Sequence, residues 1–517
     1  MASPTIPRTG HSHLAQAYNS KHPKMKAMKR QLFIIGISIA SLAGCTKLNQ
    51  TPPDQLSTTV FWKQASDADL ALTGIYGTLY AGSGGVDQYG PMWWDNFSDN
   101  SYSQHSLAGA QEALISGLTP TSNGFPNTTY SSSYKTISAI NNFLPNVNKV
   151  LSGDQLKKYR GEALFIRGLS YWYLAMTYGN VPLVLDDPFT VDYSSSKAKS
   201  PRADILKQVE LDWDSAIAYL PDAKFTNGHV TKAAAEGYMT RLYLYEKRWP
   251  EAAAMSKSII DGQLFSLNAN YAANFYKPDQ SSSPEIIFSV QFKQPAVPHS
   301  YSLNVLLIGP GWKDVQGTQD MINEYEPNDP RKTMTFFFPG DGVAQGWPYP
   351  GTVGTPGVAE WVSGYYPTKK FVDPTVKNPV PGLLDDQDYV LLRYADVKLM
   401  YAEAQNEATG PDASVYQQVN DVRTRPGVNM PALPAGLSQA DMRLRIWHER
   451  RVELALEGLR YFDLRRWGVA KQKLNGFVQN SLQPTLTTIY KDNYEFWPIP
   501  QQEIDINKPT LVQNDGY

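Results

Sequence analysis

The stretch GYMTRLYLYEKRWPEAAAMSKSIIDG, residues 237–262, predicts two helices that pack against each other. Apolar residues of its first half, and one just upstream, recur at spacings of three and four and so share a helical face: Ala235, Tyr238, Leu242 and Tyr245. Tyr243, Trp249 and Ala252 then supply the aromatic, aromatic and small positions that let two antiparallel helices approach closely. The stretch therefore indicates a scaffold built from helix pairs.

The segment upstream predicts a long helix with marked ends. Ser152 to Gln155 has the form of a capping box, in which side chains bond the free N–H groups of the first turn. Gly179 is a typical helix end, and Pro182 lies just beyond it. One apolar stripe recurs between these ends: Ala163, Ile166, Leu169, Tyr173 and Met176. Ser200-Pro201 opens another helix, with proline expected at its first position.

These patterns divide the chain into a helical scaffold and a loop-rich part. The predicted scaffold covers mainly residues 61–80, 130–262 and 389–468, with helices at about 389–424 and 438–458. The predicted loop-rich part covers mainly residues 81–130 and 265–388, with one alternating strand at 286–292. Because residues 237–262 resemble a tetratricopeptide unit, the predicted fold is mostly α: a tetratricopeptide-like helical scaffold with a large irregular loop-rich insertion and few short strands.

Cys45 is the only cysteine in 517 residues, and it follows an apolar run from Leu32 to Gly44. Basic residues precede that run, which has the length of a signal-peptide core and is too short to span a membrane. The sequence Leu42-Ala43-Gly44-Cys45 resembles the lipobox of bacterial lipoproteins, which predicts that residues 1–44 are a signal peptide and that Cys45 is lipidated. The alternative is a signal peptide that happens to carry a cysteine near its cleavage site.

The flanks of this segment complete the prediction. Residues 1–24 lack signal-peptide character, so Met25 or Met28 is a candidate initiator, and residues 45–60 with Pro52-Pro53 form a lipidated tether. No second apolar run of about 18 residues follows, so lipid is the expected membrane attachment. The net charge is −2 and charged residues make up 19% of the chain, which does not favour binding to nucleic acid.

Five segments together are similar to the SusD/RagB family of Bacteroidetes outer-membrane lipoproteins. They are FWKQASDADLALTGIYGTLY (61–80), GEALFIRGLSYWYLAMTYGNVPLV (161–184), LLRYADVKLMYAEAQNEA (391–408), ERRVELALEGLRYFDLRRWG (449–468) and FWPIPQQEIDINKPTLVQNDGY (496–517). Their order and spacing agree across the mature chain, and the resemblance makes residues 61–517 a single SusD-like domain. It implies a helical half that supports an irregular half carrying the ligand surface.

The resemblance also implies a function and a partner. Members capture glycans or other nutrients at the cell surface for a SusC-like TonB-dependent outer-membrane transporter. The chain is therefore expected to be lipid-anchored in the outer membrane and to face outward, although Thr46-Lys47 replaces the acidic residues that follow the cysteine in many exported relatives. A non-glycan nutrient such as a peptide, or an adhesive or structural role, remains the alternative.

The sequence favours binding over catalysis. Glu449 and Glu453 have a spacing that superficially suits a glycosidase, but they belong to a predicted arginine-rich helix rather than a cleft. We expect the charges of 449–468 to orient helices against Arg393 and Asp396, with helical pairs among them. No catalytic residue, cofactor or metal is predicted, since the histidines are scattered and DNFSDNS (95–101) lacks essential calcium ligands.

Two loop segments have the composition of a neutral-glycan site, which needs exposed flat rings beside groups that bond hydroxyls. The candidate ligand-binding residues are Trp93, Trp94, Asp95, Asn96, Asp99, Asn100, Tyr301 and Trp312. Trp312, on a Gly-Trp turn ahead of a helix, best matches ring-stacking residues of starch-binding family members; Trp93 and Trp94 are not distinguished. The alternative is that one tryptophan of each pair fills the gap between loop and scaffold.

Overall fold

The structure is a computed structural model of the full chain. It describes residues 61–80, 89–103, 114–115, 117–122, 124–190, 197–277, 279–300, 302–308, 314–338, 341, 343–344, 347–348, 366–373, 382–480 and 486–517. The signal-peptide and tether predictions, including Cys45, lie outside these residues, as do Tyr301 and Trp312.

Helices dominate the first half. They are α1 (Ala65–Gly77), α2 (Pro91–Asp95), α3 (Phe125–Asn146), α4 (Gly153–Tyr178), α5 (Arg202–Tyr219), α6 (Lys232–Tyr245) and α7 (Trp249–Asp261). The pair predicted from residues 237–262 is present as α6 and α7, which pack together. Pro201 precedes α5 as its cap residue and is not its first helical position.

The second half contains shorter helices and a further helical layer. They are α8 (Leu303–Ile308), α9 (Gln319–Glu324), α10 (Arg331–Thr335), α11 (Tyr394–Thr409), α12 (Ala413–Thr424), α13 (Gln439–Glu453), α14 (Arg460–Arg466), α15 (Ala470–Leu474) and α16 (Gln501–Ile506). Helix α11 packs against α7, α12 and α13, so the two helical regions form one scaffold. Residues Trp62–Tyr517 form one compact unit.

Helix α4 differs from the expected amphipathic helix because every residue from Gly161 to Tyr178 is buried. It packs against both α3 and α5. Gly168 permits the close approach of α5, since a Cβ there would lie 2.5 Å from Trp213 Nε1. Ser152 caps α4 by position, but its side chain makes no capping hydrogen bond. Gly179 ends the helix with φ of 71°.

The strands are short and antiparallel. They are β1 (Ser101–Tyr102), β2 (Ile286–Val290), β3 (Gln316–Gly317), β4 (Val343–Ala344), β5 (Trp347–Pro348), β6 (Tyr366–Pro367), β7 (Tyr389–Arg393), β8 (Val478–Asn480) and β9 (Leu486–Thr487). They pair as β1-β3-β6, β2-β7, β4-β5 and β8-β9. The mostly helical prediction with few short strands is confirmed.

Two predicted helices have different bounds. Residues 389–393 are strand β7, which pairs with the predicted strand β2, so the helix begins only at Tyr394. The arginine-rich segment is also interrupted, because α13 ends at Glu453 and α14 begins at Arg460. Leu456 and Gly458 adopt φ of 65° and 77° in the intervening turn. Among the described residues, none of the helices combines the length and apolarity that crossing a membrane requires.

Candidate functional site

The first predicted loop segment is a buried structural element. Trp93 and Trp94 lie on α2 with exposed fractions of 0% and 1%. Trp94 contacts several aromatic rings with centroid separations of 4.7–6.3 Å: Phe97, Phe125, Tyr173, Tyr461, Phe462 and Trp497. Because these side chains enclose the indole, its faces are not accessible to a sugar. The expectation of exposed rings at these two positions is wrong.

Asp95 and Asn100 are also buried and bond within the chain. Asn100 Nδ2 donates to Asp95 Oδ1 at 2.7 Å, and the Gly458 backbone N–H donates to Asp95 Oδ2 at 2.7 Å. Burial raises the pKa of Asp95 to about 7, against the opposing effect of these two bonds. The Asp95 carboxylate thus connects α2 to the turn between α13 and α14. We had expected this side chain to bond sugar hydroxyls instead.

Asp99 binds two arginines of the interrupted segment. Arg460 donates to both of its carboxylate oxygens at 2.7 Å, and Arg451 Nη2 lies 3.2 Å from Oδ2. Burial alone would raise the pKa of Asp99, but the two guanidinium groups lower it to about 2. Asp99 is therefore a structural anion, and its expected exposure to ligand is also wrong.

Asn96 joins the two predicted loop segments. Its Nδ2 donates to the Asp314 backbone carbonyl at 3.0 Å, and its Oδ1 accepts from Ser101 Oγ at 2.9 Å. Thr318 reinforces this junction through bonds from its backbone N to Asn100 O and from its Oγ1 to Asp99 O. Asn96, like its neighbours, is a buried positioning residue and not an exposed sugar ligand.

The same junction contains the β1-β3 pair, with Ser101 opposite Gly317 and Tyr102 opposite Gln316. A Cβ at Gly317 would lie 2.6 Å from Phe336, so glycine allows this strand to pack closely. The segments 90–102 and 299–314, separated by about 200 residues in sequence, thus contact each other at Asn96 and Asp314. Trp312 is two residues from Asp314 in sequence, and Tyr301 is adjacent to buried Ser302.

The charges of 449–468 form a buried network around Arg393, whose side chain is 1% exposed. Arg393 binds Glu285 at 2.6 Å, Glu453 at 2.6 Å and Glu457 at 2.7 Å. Asp396 accepts from Arg450 at 2.9 Å. The expected orientation against Arg393 and Asp396 is confirmed. Because residues 454–459 interrupt the helix, most charged side chains of 449–468 bind residues on other elements and not residues one helical turn away.

Glu449 and Glu453 belong to this network and do not face a cleft. Both side chains are 0% exposed, and Arg331 Nη1 bridges them at 2.6 and 2.8 Å. Three arginines lower the pKa of Glu453 despite its burial. A glycosidase pair must flank a sugar in a cleft, and these two buried carboxylates do not face a cleft. Within the described ranges, no group of three or more His, Cys, Asp or Glu residues is arranged to hold a metal ion.

Sequence reasoning missed the packing role of residues 93–100. The number of arginines in 449–468 could have indicated this packing role, since buried carboxylates need cationic partners. The sequence does not tell which acidic residues will meet these arginines, because the partners lie hundreds of residues apart.

Models of known protein families match both halves of the chain. The model described as the SusD family matches residues 262–517. A second model, described as starch-binding and associating with the outer membrane, matches residues 49–244. Among curated relatives, SusD-like protein P2 of Formosa agariphila is 22% identical, covering 95% of this chain and 100% of the relative. SusD-like protein P25 of the same organism is 25% identical, with 95% and 99% covered.

Solved structures share the fold. A SusD-like carbohydrate-binding protein from Bacteroides fragilis superposes with a TM-score of 0.76 at 26% identity, covering 86% of this chain and 99% of the other. A laminarin-binding SusD-like protein superposes with a TM-score of 0.70 at 24% identity, covering 88% and 100%. The two family models span both the helical and the loop-rich parts, and the chain belongs to the SusD/RagB family.

Proposed function

We propose that this protein is a lipid-anchored glycan receptor of the outer membrane that delivers oligosaccharide or polysaccharide to a SusC-like TonB-dependent transporter. The observation that carries the proposal is the junction of Asn96 with Asp314, next to the segment that contains Trp312. A buried hydrogen bond and a strand pair support the root of that segment. This is the rigid support that a ligand-binding loop requires.

The family description supports membrane association and glycan as ligand. One matching model is described as starch-binding and associating with the outer membrane. A structural neighbour at 26% identity is described as carbohydrate-binding, and another neighbour as laminarin-binding. Within the proposal, residues 1–44 are a signal peptide, Cys45 carries lipid, residues 45–60 are a tether and 61–517 form one domain.

The proposed ligand surface differs from the one expected from sequence. Trp312 and Tyr301 remain the ring-stacking candidates. The six candidate residues between Trp93 and Asn100 are buried, with contacts to Asp314 and Thr318, and within the proposal they do not touch ligand. Aromatic faces stack on the apolar C–H faces of sugars, and neighbouring polar groups bond the hydroxyls.

Two measurements test the proposal. A glycan array probed with the lipid-free chain, residues 46–517, should identify a bound glycan class, whereas an array without any bound glycan would contradict the receptor role. Detergent-solubilised membranes should yield the protein together with a TonB-dependent barrel. Glycan binding without a co-purifying barrel would limit the function to surface adhesion, and binding of peptides alone would replace glycan by another nutrient.

A further inference from the structure

A cleft lined by neither Asn96 nor Asp314 opens near the end of α1. It lies between the end of α1, the loop before α6 and the end of β2, and its volume is about 610 Å³. Residues that shape it include Tyr76, Tyr80, His229, Gln291, Lys293 and Asp386. Clefts of a few hundred Å³ that combine rings with convergent polar groups are typical of small-ligand sites.

A buried carboxylate holds the inner wall of the cleft. Glu162 is 0% exposed, and its Oε2 accepts from the Tyr76 hydroxyl at 2.5 Å. His229 Nδ1 lies 2.7 Å from the same oxygen. The Tyr76 hydroxyl also accepts from the Val230 backbone N–H at 2.9 Å. These bonds fix both rings, so the wall is formed before any ligand arrives.

This arrangement leaves one nitrogen of His229 for the cleft. Since a carboxylate oxygen accepts, Nδ1 must donate to Glu162, and in the neutral form of the ring Nε2 then carries a free lone pair. None of the described residues is hydrogen-bonded to Nε2, and the His229 side chain is 40% exposed. In that form His229 offers an oriented acceptor to which a ligand hydroxyl can donate.

The rest of the lining combines anchored rings with balanced charge. Tyr80 donates to the Gln291 carbonyl at 2.7 Å and meets the Phe292 ring edge-on at 5.1 Å. Lys277 is paired with Asp388 at 2.9 Å, and Lys293 and Asp386 contribute opposite charges. Glu162, the carboxylate of the inner wall, has Lys158 at 3.9 Å. Because the acidic and basic side chains around the cleft are thus equal in number, the lining suits a neutral hydroxyl-rich ligand better than an acidic one.

We propose that this cleft is a second binding site, which takes a short segment of a neutral oligosaccharide. Hydroxyl groups of the sugar donate to His229 Nε2 and Asp386, and its C–H faces lie against Tyr76 and Tyr80. The proposal rests on the proposed function for its ligand class, but it concerns residues other than Tyr301 and Trp312.

The test fills the cleft without removing its wall. Asn227 lines the cleft and is exposed, so Asn227→Trp should obstruct it while preserving the fold. Lys224→Trp is the matched control, because it adds the same ring to the same loop at an exposed position that does not line the cleft. Calorimetric titrations would use maltohexaose, laminarihexaose, cellohexaose and xylohexaose, with hexagalacturonate as the acidic probe.

We expect Asn227→Trp to weaken binding of a neutral hexasaccharide by at least about 10-fold, and Lys224→Trp to leave it unchanged. Equal affinities of Asn227→Trp and the unaltered chain would overturn the second site while the proposed function stands. If none of the neutral probes binds the unaltered chain, the second site is overturned, whereas the proposed function is decided separately by the glycan array. The assignment to a neutral ligand would be overturned if hexagalacturonate bound more tightly than every neutral probe and if Asn227→Trp abolished that binding.

Discussion

Asn96 donates a 3.0 Å hydrogen bond from its side chain to the backbone carbonyl of Asp314, and both residues are buried. The bond joins the segment after α1 to the end of the segment that holds Trp312. Asn96 therefore contributes to the proposed glycan surface as a support for the loop. This distinction between support and contact gives the first two predictions.

Trp312→Ala should weaken glycan binding by tens of fold. A ring that covers roughly 100 Å² of sugar contributes about 2–3 kcal/mol before ordering costs. The melting temperature should change little if the ring faces ligand. Calorimetry with the glycan identified on the array measures the first quantity, and calorimetric unfolding the second. Unchanged affinity, or affinity lost only together with stability, would make Trp312 a packing residue.

Trp94→Ala should instead destabilise the fold by about 3–5 kcal/mol, because it leaves a cavity among buried aromatic rings. Trp94→Phe fills more of that space and should cost less. Denaturant unfolding monitored by circular dichroism gives both values. A Trp94→Ala protein of undiminished stability that has lost only glycan affinity would return Trp94 to the ligand surface.

Arg393→Met should destabilise the protein by about 3–5 kcal/mol, because it removes a cation shared by three buried carboxylates. Arg248→Met is the control, since its pairs with Glu210 and Glu251 are partly exposed and contribute about 0–1 kcal/mol. Chemical denaturation of both variants measures the difference. Equal losses of stability in the two variants would show that burial of the ion pairs around Arg393 adds nothing to the stability of the protein.

His448 should make stability depend on pH. Its Nδ1 lies 2.8 Å from Glu324 and its Nε2 lies 3.1 Å from Glu326, so both nitrogens donate only when the ring is protonated. Burial alone would lower the pKa of His448, but the bond to Glu324 and the nearby charges of Glu449 and Glu326 raise it.

A histidine whose pKa is raised on folding stabilises the protein by its full amount below its unfolded-state pKa, which is about 6.5. This stabilisation is lost as the pH rises through the folded-state pKa. The melting temperature should therefore fall more steeply above about pH 6.5 in the unaltered chain than in His448→Gln. Arg451 and Arg423, which bind the same two glutamates, stay charged across this range. Parallel slopes for the two proteins would refute the role of His448.

Cys45→Ser should release the protein from the membrane fraction, because the proposed acyl chains are the anchor and each buried CH₂ contributes about 0.8 kcal/mol. Thr46→Ala, next to the lipobox, should leave the distribution unchanged. Fractionation and mass spectrometry of the mature N-terminus measure the outcome. An unmodified Cys45, or a mature chain that begins elsewhere, would contradict the lipoprotein prediction.

The sequence predicted the local structure well where neighbouring residues decide it. The apolar spacing of 237–262 identified α6 and α7, and the alternation at 286–292 identified β2. Periodicity failed at residues 389–393, which read as the start of a helix, because pairing with β2 about 100 residues away makes this segment a strand.

The sequence named two candidate segments for the site, but it did not tell which of their residues are buried. Trp93, Trp94 and Trp312 all stand beside glycine, proline or polar residues in sequence, a composition that suits either a binding loop or a packed turn. Burial decides between the two roles, and a side chain is buried by residues far away along the chain. Trp94 is enclosed by rings from four later parts of the chain, around Phe125, Tyr173, Tyr461 and Trp497.

The sequence by itself determined the helical class and the family resemblance, and it supplied the prediction of a lipobox at Cys45, because each depends on residue types at short spacing. Only the tertiary structure decided that Asp99 binds Arg451 and Arg460, and that Glu162 orients His229 in a cleft. Those contacts join residues 67 to 361 positions apart. Their geometry follows from how the helices pack, which local pattern does not specify.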